Sequence, residues 1–421
     1  PRSPLHKSSR SWNGSRTRTP AATMANAVTA GAAAAALLPG LPDEIVIWEV
    51  LVLLPPKSLL RCRAVCRAWR RTTSAPGFLL AHHGRQPSLP IVCEFKKADG
   101  YYKDILTFDH RAAPAADARL QHFAQLDNDN NDFFSLQASC DGLLIISACT
   151  TTYRPCLSVC NPATRQRAFL RQPRDASLFS VLGMYLHRPS GEYRLLLYRT
   201  CNWLSIDRHD LLDERRIGCY ISALGSDQAP RYIGGPEAVS AVAFDTPALV
   251  RDSFHWSPVQ KHKGKNGLVI VFDTMAESFR QIHAPIVPAK SYIFEMDGKL
   301  GIYNYDNAMK IVDIWMLADY EGEIWEHKCR VELPVGAIRG RFGRKEGQWD
   351  VIVASTDGVV LLLISLGKWL FHVDVGGQLV DSFHRDCKKI SACGLQLKHT
   401  LVPHTFFTAL EEYAVNAAPF I

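Results

Sequence analysis

The sequence has no long uninterrupted apolar run. The longest candidate, Val359 to Leu366, has eight residues including Ser365, which suits a strand. A helix that crosses a membrane needs about 20 apolar residues, so we expect no membrane partner. The alanine tract at 32–36 is only weakly apolar and leads directly into a helical segment, so we expect no secretion signal.

The sequence patterns of common catalytic sites are also absent. The chain has no G-x-S-x-G elbow, no G-x-x-x-x-G-K-[ST] phosphate loop and no H-E-x-x-H motif. Asp141, Asp297 and Asp357 could imitate spaced carboxylates, but a glycine follows each of them, which is typical of a turn. We therefore expect no catalytic residue and no cofactor, and we predict that the protein is not an enzyme.

Cysteine occurs twelve times, but not in the pattern of a metal site or a disulfide scaffold. The pairs Cys62/Cys66 and Cys156/Cys160 are spaced C-x3-C, and no H-x-x-x-H follows them, so we expect no metal. A chain of 421 residues can bury a large core without disulfides. Buried, reduced thiols are expected, as in a protein of the nucleus or the cytoplasm.

Acidic residues are missing from residues 1–20, which carry five of the seven net positive charges. Those charges belong to Arg2, Lys7, Arg10, Arg16 and Arg18. The remainder is nearly balanced, so the chain lacks the basic surface of a nucleic-acid-binding protein. We expect residues 1–40 to be a disordered, basic and alanine-rich leader, with Met24 as a candidate start of translation.

Residues 41–71 are rich in apolar side chains at helical spacing. Leu41-Pro42-Asp43-Glu44 has the features of a helix start, because proline is tolerated in the first turn and acids are favoured there. Pro55-Pro56 ends that helix, and two more short helices are expected from Lys57 to Arg63 and from Cys66 to Thr73. A module of about forty residues buries little of its own surface. A partner should therefore cover its apolar face; the alternative is a helical cap packed on its own domain.

The three pieces of this module resemble the F-box. They are L-P-x-E at 41–44, L-P-x-K-S-L-L at 54–60 and R-x-V-C-R-x-W at 63–69. Leu53 stands where plant members often have arginine, and it adds apolar surface. The resemblance implies docking onto a Skp-type adaptor of a cullin–RING ubiquitin ligase. It assigns the core and the adaptor-facing surface to Leu41, Pro42, Ile45, Leu54, Pro55, Leu59, Val65, Cys66 and Trp69.

From about residue 90 the apolar pattern changes to the two-residue period of strands. Turns followed by strands are predicted at 141–146, 297–302 and 357–362, where each segment begins with Asp-Gly. A strand–turn–strand pattern recurs at 157–170, 268–282 and 361–375. Antiparallel repeats of about 50–60 residues indicate propeller blades, with a β-sandwich as the alternative.

Short segments of this part resemble the plant F-box-associated domain. They lie, in order, at 139–144, 159–166, 218–227, 254–258, 271–285, 312–333 and 401–407. We therefore predict a multidomain α+β chain, with a small three-helix F-box followed by an all-β, β-propeller-like domain. The predicted boundaries are 1–40 for the leader, 41–82 for the F-box, 90–410 for the β domain and 411–421 for a tail.

Loops at one face of a propeller are the expected place for a target. Three connections are unusual, namely Arg111–Asp132, Cys201–Arg216 and the basic segment Arg339–Lys345. The candidate target-binding residues in them are Trp203, Arg339, Arg341, Phe342 and Arg344. The arginines suit an acidic or phosphorylated peptide; the alternative is that all three connections are solvated loops. By contrast, His82-His83 are expected in an exposed linker and Trp256 in a blade core.

The predicted function is a substrate-receptor subunit of an SCF-type E3 ubiquitin ligase in the nucleus, the cytoplasm or both. The adaptor would bind the F-box and an unknown target protein would bind the β domain. Such a receptor needs no catalytic residue, because it works by holding the target close to the transfer reaction. The alternatives are an F-box scaffold without ligase activity and a ligand-binding β-propeller.

Overall fold

The computed structural model describes residues 41–97, 101–113, 116–126, 133–149, 155–171, 179–199, 217–236, 245–259, 267–285, 291–342 and 349–415. The chain divides into two compact units after Val50. The predicted leader at 1–40 lies outside the described residues. No helix in the described ranges is long and apolar enough to cross a membrane.

The helical module begins with a short and irregular helix. α1 (Asp43–Ile45) continues as a π-helical turn at Val46–Val50, and a 3-10 turn follows at Leu51–Leu53. We predicted one helix from Leu41 up to the prolines at 55 and 56; the segment is helical, but it is divided into these short and irregular turns. Several β-branched side chains between Ile45 and Val52 restrict the side-chain rotamers that a regular α-helix allows.

Three regular helices follow in the second unit. They are α2 (Pro56–Cys62), α3 (Arg67–Thr73) and α4 (Pro76–Arg85). Proline opens α2 and α4, where its missing N–H costs nothing and its fixed φ suits the helix. Cys66 caps α3, because its Sγ accepts a hydrogen bond from the backbone N–H of Trp69 at 3.4 Å. His82 and His83 therefore lie within α4, and not in the exposed linker that we predicted.

The described strands form six antiparallel sheets. The first sheet runs outward from β24 (Lys389–Lys398) to β1 (Ser88–Lys97), β2 (Tyr101–Phe108) and β3 (Leu120–Leu126). The second contains β4 (Phe133–Cys140), β5 (Leu143–Cys149), β6 (Pro155–Asn161), β7 (Gln166–Phe169) and β25 (Glu411–Val415). The third contains β8 (Phe179–His187), β9 (Glu192–Arg199), β10 (Gly218–Ala223) and β11 (Arg231–Gly234).

The other three sheets keep the same order from inside to outside. The fourth contains β12 (Ala248–Val250), β13 (Ser253–Val259), β14 (Leu268–Asp273) and β15 (Ser278–His283). The fifth contains β16 (Ser291–Met296), β17 (Lys299–Asp306), β18 (Ile311–Asp319) and β19 (Ile324–Glu332). The sixth contains β20 (Asp350–Thr356), β21 (Val359–Leu366), β22 (Trp369–Val373) and β23 (Leu379–His384).

Hydrophobic clusters join the sheets into a closed ring. In the described part of the chain, each sheet shares a cluster with the next, and the sixth sheet shares one with the first through Leu361 and Leu106. Trp256 is 2% exposed in the cluster between the third and fourth sheets, as predicted for a blade core. This arrangement is a six-bladed β-propeller, which confirms the propeller prediction and not the sandwich.

The Asp-Gly pairs occupy the turn between the first and second strands of three sheets. Asp141 and Gly142, for example, have φ values of 49° and 84°, and the pairs at 297–298 and 357–358 are similar. Tight hairpins require positive φ at both central residues, which glycine and aspartate tolerate. The fourth sheet makes the same turn with Arg251 and Asp252, so it has no glycine as a sequence signal.

Two segments that we predicted as irregular contain regular structure. The connection predicted at 111–132 includes α5 (Ala116–Arg119) and β3. The predicted tail includes β25, which pairs with β7 at the outer edge of the second sheet, after a 3-10 turn at Thr405–Ala409. Tyr413 in β25 accepts a 2.9 Å hydrogen bond from Gln166 Nε2.

Candidate functional sites

The adaptor-facing residues that we predicted are mostly exposed. In the first unit, Leu41, Pro42 and Ile45 are exposed. In the second unit, Pro55, Val65 and Cys66 are exposed, whereas Leu54 and Trp69 are half-buried. Leu59 is fully buried, so it belongs to the core of the helical module and not to its surface.

The helical module exposes more apolar side chains than we predicted for the adaptor-facing surface. The additional exposed ones are Trp48, Val50, Leu53, Leu60 and Leu80. Leu53, which stands in place of the frequent arginine, is 57% exposed. Globular proteins rarely expose this many large apolar residues in one short segment unless a partner covers them. The exposure of Leu80 could not be predicted, because we did not predict the helix α4 in which it lies.

Arg63 joins two of the helices. Its Nη2 donates to the carbonyl oxygen of Thr73 at 2.6 Å, and its Nε donates to the Thr73 hydroxyl at 3.2 Å. Burial and the nearby charge of Arg70 lower the pKa of Arg63. The last carbonyl oxygens of a helix have no donor within it, and Arg63 supplies one at the end of α3.

His82 is a buried residue of α4. Its Nε2 donates to the carbonyl oxygen of Leu54 at 2.8 Å, and Gln86 Nε2 donates to the same oxygen at 3.2 Å. Burial is the main reason that the pKa of His82 is lowered. Leu54 lies between the 3-10 turn and α2, and these two side chains satisfy its carbonyl oxygen there.

The connections between strands lie on two faces of the propeller, because neighbouring strands alternate in direction. One face carries the turns between first and second strands, such as Asp141-Gly142, and the links between third and fourth strands. We call it the turn face. Arg111 Nη1 and Asp357 Oδ2, 2.6 Å apart, join the first and sixth sheets there. The opposite end carries the remaining connections, and we call it the loop face.

Helix α4 contacts the turn face. His83 Nε2 lies 3.5 Å from Asp141 Oδ1, and Lys398 Nζ donates to the carbonyl oxygen of Gly84 at 3.4 Å. Tyr193 also donates to Asp141, at 3.2 Å. Burial opposes ionisation of Asp141, but the hydrogen bonds from His83 and Tyr193 outweigh it and lower the pKa of Asp141. The turn face is therefore the side on which α4 joins the propeller.

The loop face carries the basic segment that we predicted as a target site. α6 (Val335–Phe342) connects the fifth and sixth sheets there, so the segment is partly helical and not a plain loop. Arg339 and Arg341 are exposed, and Arg341 donates to the hydroxyl of Ser382. Trp203, Arg344 and the side chain of Phe342 lie outside the described residues.

Other connections of the loop face carry cations beside acids. Among the described residues, those of the fifth and sixth sheets carry Lys310, Lys368 and Lys388, and Lys368 Nζ lies 3.5 Å from Asp386 Oδ1. Lys310 Nζ lies 4.8 Å from the centre of the Trp349 ring. Burial is the main cause that lowers the pKa of Lys310, and the positive charge of Arg339 lowers it further. Cations that repel one another in this way favour an anionic partner.

The innermost strands surround a central channel. It contains a cavity of 290 Å³, lined by every sheet of the ring. Met184, Phe254 and Phe294 supply apolar surface, and Gln137 and Gln396 supply amides. Across the described ranges, no group of three or more histidine, cysteine, aspartate or glutamate side chains could hold a metal ion.

The comparisons with known proteins match both domains. Residues 38–83 match the F-box-like family, and residues 103–339, more than half of the chain, match the F-box associated beta propeller domain. F-box protein At3g17710 of Arabidopsis thaliana is 24% identical over 68% of this chain and 72% of its own length. F-box protein At5g49610 of the same plant is 23% identical over 72% of this chain and 82% of its own length.

A solved structure, that of a gluconolactonase from Xanthomonas campestris, covers 74% of this chain and 95% of its own. Its TM-score of 0.33 at 13% identity is too low to support an argument about fold or activity. The two family matches, in contrast, agree with the helical module and the six-sheet ring described above. The chain belongs to the F-box proteins that carry an F-box-associated β-propeller domain.

Proposed function

We propose that this protein is a substrate-receptor subunit of an SCF-type E3 ubiquitin ligase. The observation that supports this most is the F-box match on a helical module with many exposed apolar side chains. The module docks onto a Skp-type adaptor, and the propeller holds a target protein for ubiquitination. The chain itself contributes proximity and no catalytic group.

The adaptor covers the exposed apolar residues of the helical module. Val65, at 67%, and Leu41, at 49%, are among the most exposed of them. Removing such side chains from water contributes about 25 cal/mol for each Å² of apolar area, which offsets the entropy lost on association. Leu59 and the Arg63–Thr73 hydrogen bonds support this surface from within.

The target binds the loop face, at the end of the strands opposite to the α4 contact. Arg339 and Arg341 of α6, with Phe342 and Arg344 of the same connection and Trp203 of the connection at 200–216, recognise an acidic or phosphorylated segment. Exposed guanidinium groups bind carboxylate and phosphate oxygens in paired hydrogen bonds. A target at the loop face would leave the contact between α4 and the turn face unchanged.

Adaptor binding is tested with Val65→Asp in the full chain, measured by calorimetry against a purified Skp-type adaptor. We expect at least about a tenfold loss of affinity, because a carboxylate would be buried without a partner. The matched control is Met309→Asp, at a residue of similar exposure (69%) in the propeller, which should bind normally. Equal affinity of V65D and the parent would contradict the proposal.

Target recognition is tested on an array of acidic, phosphorylated and neutral peptides. The parent should select acidic or phosphorylated peptides, and Arg339→Glu/Arg341→Glu should lose them while keeping adaptor binding. Lys299→Glu, an exposed change on the turn face, serves as the control. A parent that shows no preference for anionic peptides argues against the basic segment as the target site.

A ligase is distinguished from a scaffold in plant cells. Partners that co-purify with the protein should accumulate when the proteasome is inhibited, and they should not accumulate with V65D. Unchanged partner abundance would indicate a scaffold held by the adaptor.

A fluorescent fusion should lie in the nucleus, the cytoplasm or both, and a signal confined to another compartment would contradict that part of the proposal.

A further inference from the structure

The central channel narrows at half its depth. Gly394 in β24 and Thr246, two residues before β12, belong to opposite blades of the ring, and a Cβ atom on Gly394 would lie 3.3 Å from Thr246 Cβ. The cavity of 290 Å³ lies on the turn-face side of this contact, because its lining residues come from the halves of the innermost strands that end at the turn face. Asp141, Glu295 and Lys398 lie at its rim. The cavity is therefore a pocket that opens at the turn face.

The charged side chains at the rim have partners within the protein. Asp141 and Lys398 take part in the α4 contact, and Glu295 Oε1 accepts a hydrogen bond from the backbone N–H of Gly298 at 2.7 Å. Below the rim, the lining residues in the described part of the chain have neutral side chains. A charged ligand buried there would have no counter-charge, which is costly. The pocket therefore suits a neutral molecule.

Two carboxamide side chains belong to the pocket wall. The register of β4 shifts between Leu136 and Ala138, so Gln137 is the extra residue of a bulge, and bulges redirect side chains. Gln396 Nε2 donates to the carbonyl oxygen of Ser355 at 3.2 Å, which holds this amide in place. A carboxamide both donates and accepts hydrogen bonds, and so does a hydroxyl group. These two residues therefore suit a ligand that carries hydroxyl groups.

The rest of the wall includes apolar side chains. Met184, Phe254 and Phe294 border the pocket from three different sheets. A ligand must therefore present carbon-bound hydrogens beside its hydroxyl groups, as the ring of a sugar does. An engineered cavity of about 150 Å³ accommodates one benzene ring. A pocket of 290 Å³ is thus large enough for a single ring with its substituents, but not for a chain of sugar units.

We propose that this pocket binds a monosaccharide-sized polyol, that is, a neutral ring with several hydroxyl groups. The hydroxyl groups hydrogen-bond to the amides of Gln137 and Gln396, and the carbon-bound hydrogens pack on Met184 and Phe254. Of the described residues that line the pocket, none belongs to the predicted adaptor-facing set or to α6. Polyol binding is therefore independent of the proposed ligase role.

The test is titration calorimetry of the full chain with D-glucose, D-galactose, D-mannose and myo-inositol. We expect at least one of them to bind with a dissociation constant of about 1 mM or lower, which is within reach of a ligand of about twelve non-hydrogen atoms. A channel that holds water alone would bind none of the four, and that result would overturn the proposal.

Two substitutions at one position locate the bound polyol. Gln137→Leu removes the amide at nearly constant volume, and we expect it to weaken binding at least about tenfold, because the ligand loses its hydrogen bonds to that amide. Gln137→Trp fills the pocket and should abolish binding. Gln378→Leu, at an exposed glutamine between β22 and β23, should bind as the parent does. Melting temperatures close to that of the parent show that the variants are folded. Equal affinity of Q137L and the parent overturns the proposal, and it does so even if Q137W fails to fold.

Discussion

At the scale of single residues, the Asp-Gly turns share a sequence but differ in their surroundings. Both Gly142 and Gly298 have positive φ, at 84° and 71°. A Cβ atom on Gly142 would lie 2.4 Å from the carbonyl oxygen of Lys398, whereas one on Gly298 would meet nothing within 4 Å. Gly142 therefore allows the end of β24 to lie close to the Asp141-Gly142 turn, and Asp141 of that turn contacts His83 in α4.

Gly142→Ala should destabilise the protein more than Gly298→Ala does. Alanine in the left-handed region costs each variant about 1 kcal/mol. Only the variant at Gly142 must also displace the backbone at Lys398. We expect the G142A variant to lose at least about 2 kcal/mol in urea unfolding. Equal losses in the two variants would show that the close approach has no energetic effect.

At the scale of elements, a buried carboxylate joins the third and fourth blades. Glu277, in the turn after β14, accepts hydrogen bonds from Tyr185 at 2.8 Å and Arg194 at 2.5 Å, and it also contacts Arg231. Its side chain is only 10% exposed. Burial disfavours the charge, but these donors lower the pKa of Glu277 overall.

Glu277→Gln should cost about 1–3 kcal/mol of unfolding free energy at pH 7, because the neutral amide loses the charge-assisted hydrogen bond from Arg194 and cannot accept from all three donors. The measurement is denaturant unfolding. Glu321→Gln is the control: its side chain is 89% exposed and 4.0 Å from Arg251, and such pairs contribute little. A loss as small as that of E321Q would contradict a bridging role for Glu277.

Sequence patterns predicted the type of most elements, but not the number of blades. Asp-Gly marked three of the hairpin turns, whereas Arg251-Asp252 makes the same turn without glycine. α6 was missed because Gly336 and Gly340 interrupt its helical pattern. The strand β25 was missed because its partner, β7, lies more than 200 residues earlier in the chain.

At the scale of the whole molecule, buried histidines couple stability to pH. Burial lowers the pKa of His255, His399 and His404 to about 4, from an ordinary value of 6.5. The folded protein keeps these side chains neutral between those values, whereas the unfolded chain takes up protons. Their stabilising contribution is therefore complete above pH 6.5 and is lost as the pH falls towards 4.

The denaturant midpoint should fall between pH 7 and pH 5, and His255→Gln should reduce the steepness of that fall. One fewer proton taken up corresponds to about 1.4 kcal/mol for each pH unit. If the midpoints of H255Q and the parent fall equally steeply with pH, His255 does not contribute to this pH dependence.

The candidate sites were predictable to different degrees. The F-box motif gave the exposed residues Leu41 and Val65 because local sequence determines that module. It could not show that Leu59 is buried, since exposure depends on packing between helices. The pairing of β1 with β24 depends on ring closure, which brings together strands that no sequence window contains.

The late closure of the ring has a consequence for biosynthesis. β1 leaves the ribosome early, but its inner partner, β24, follows about 300 residues later. At a translation rate of about 5–20 residues per second, the inner edge of β1 stays unpaired for roughly 15–60 s. An unpaired strand edge is a template for aggregation. The nascent chain should therefore depend on chaperones until its last blade strand is made, and chains that end before residue 389 should be degraded as unfinished rings.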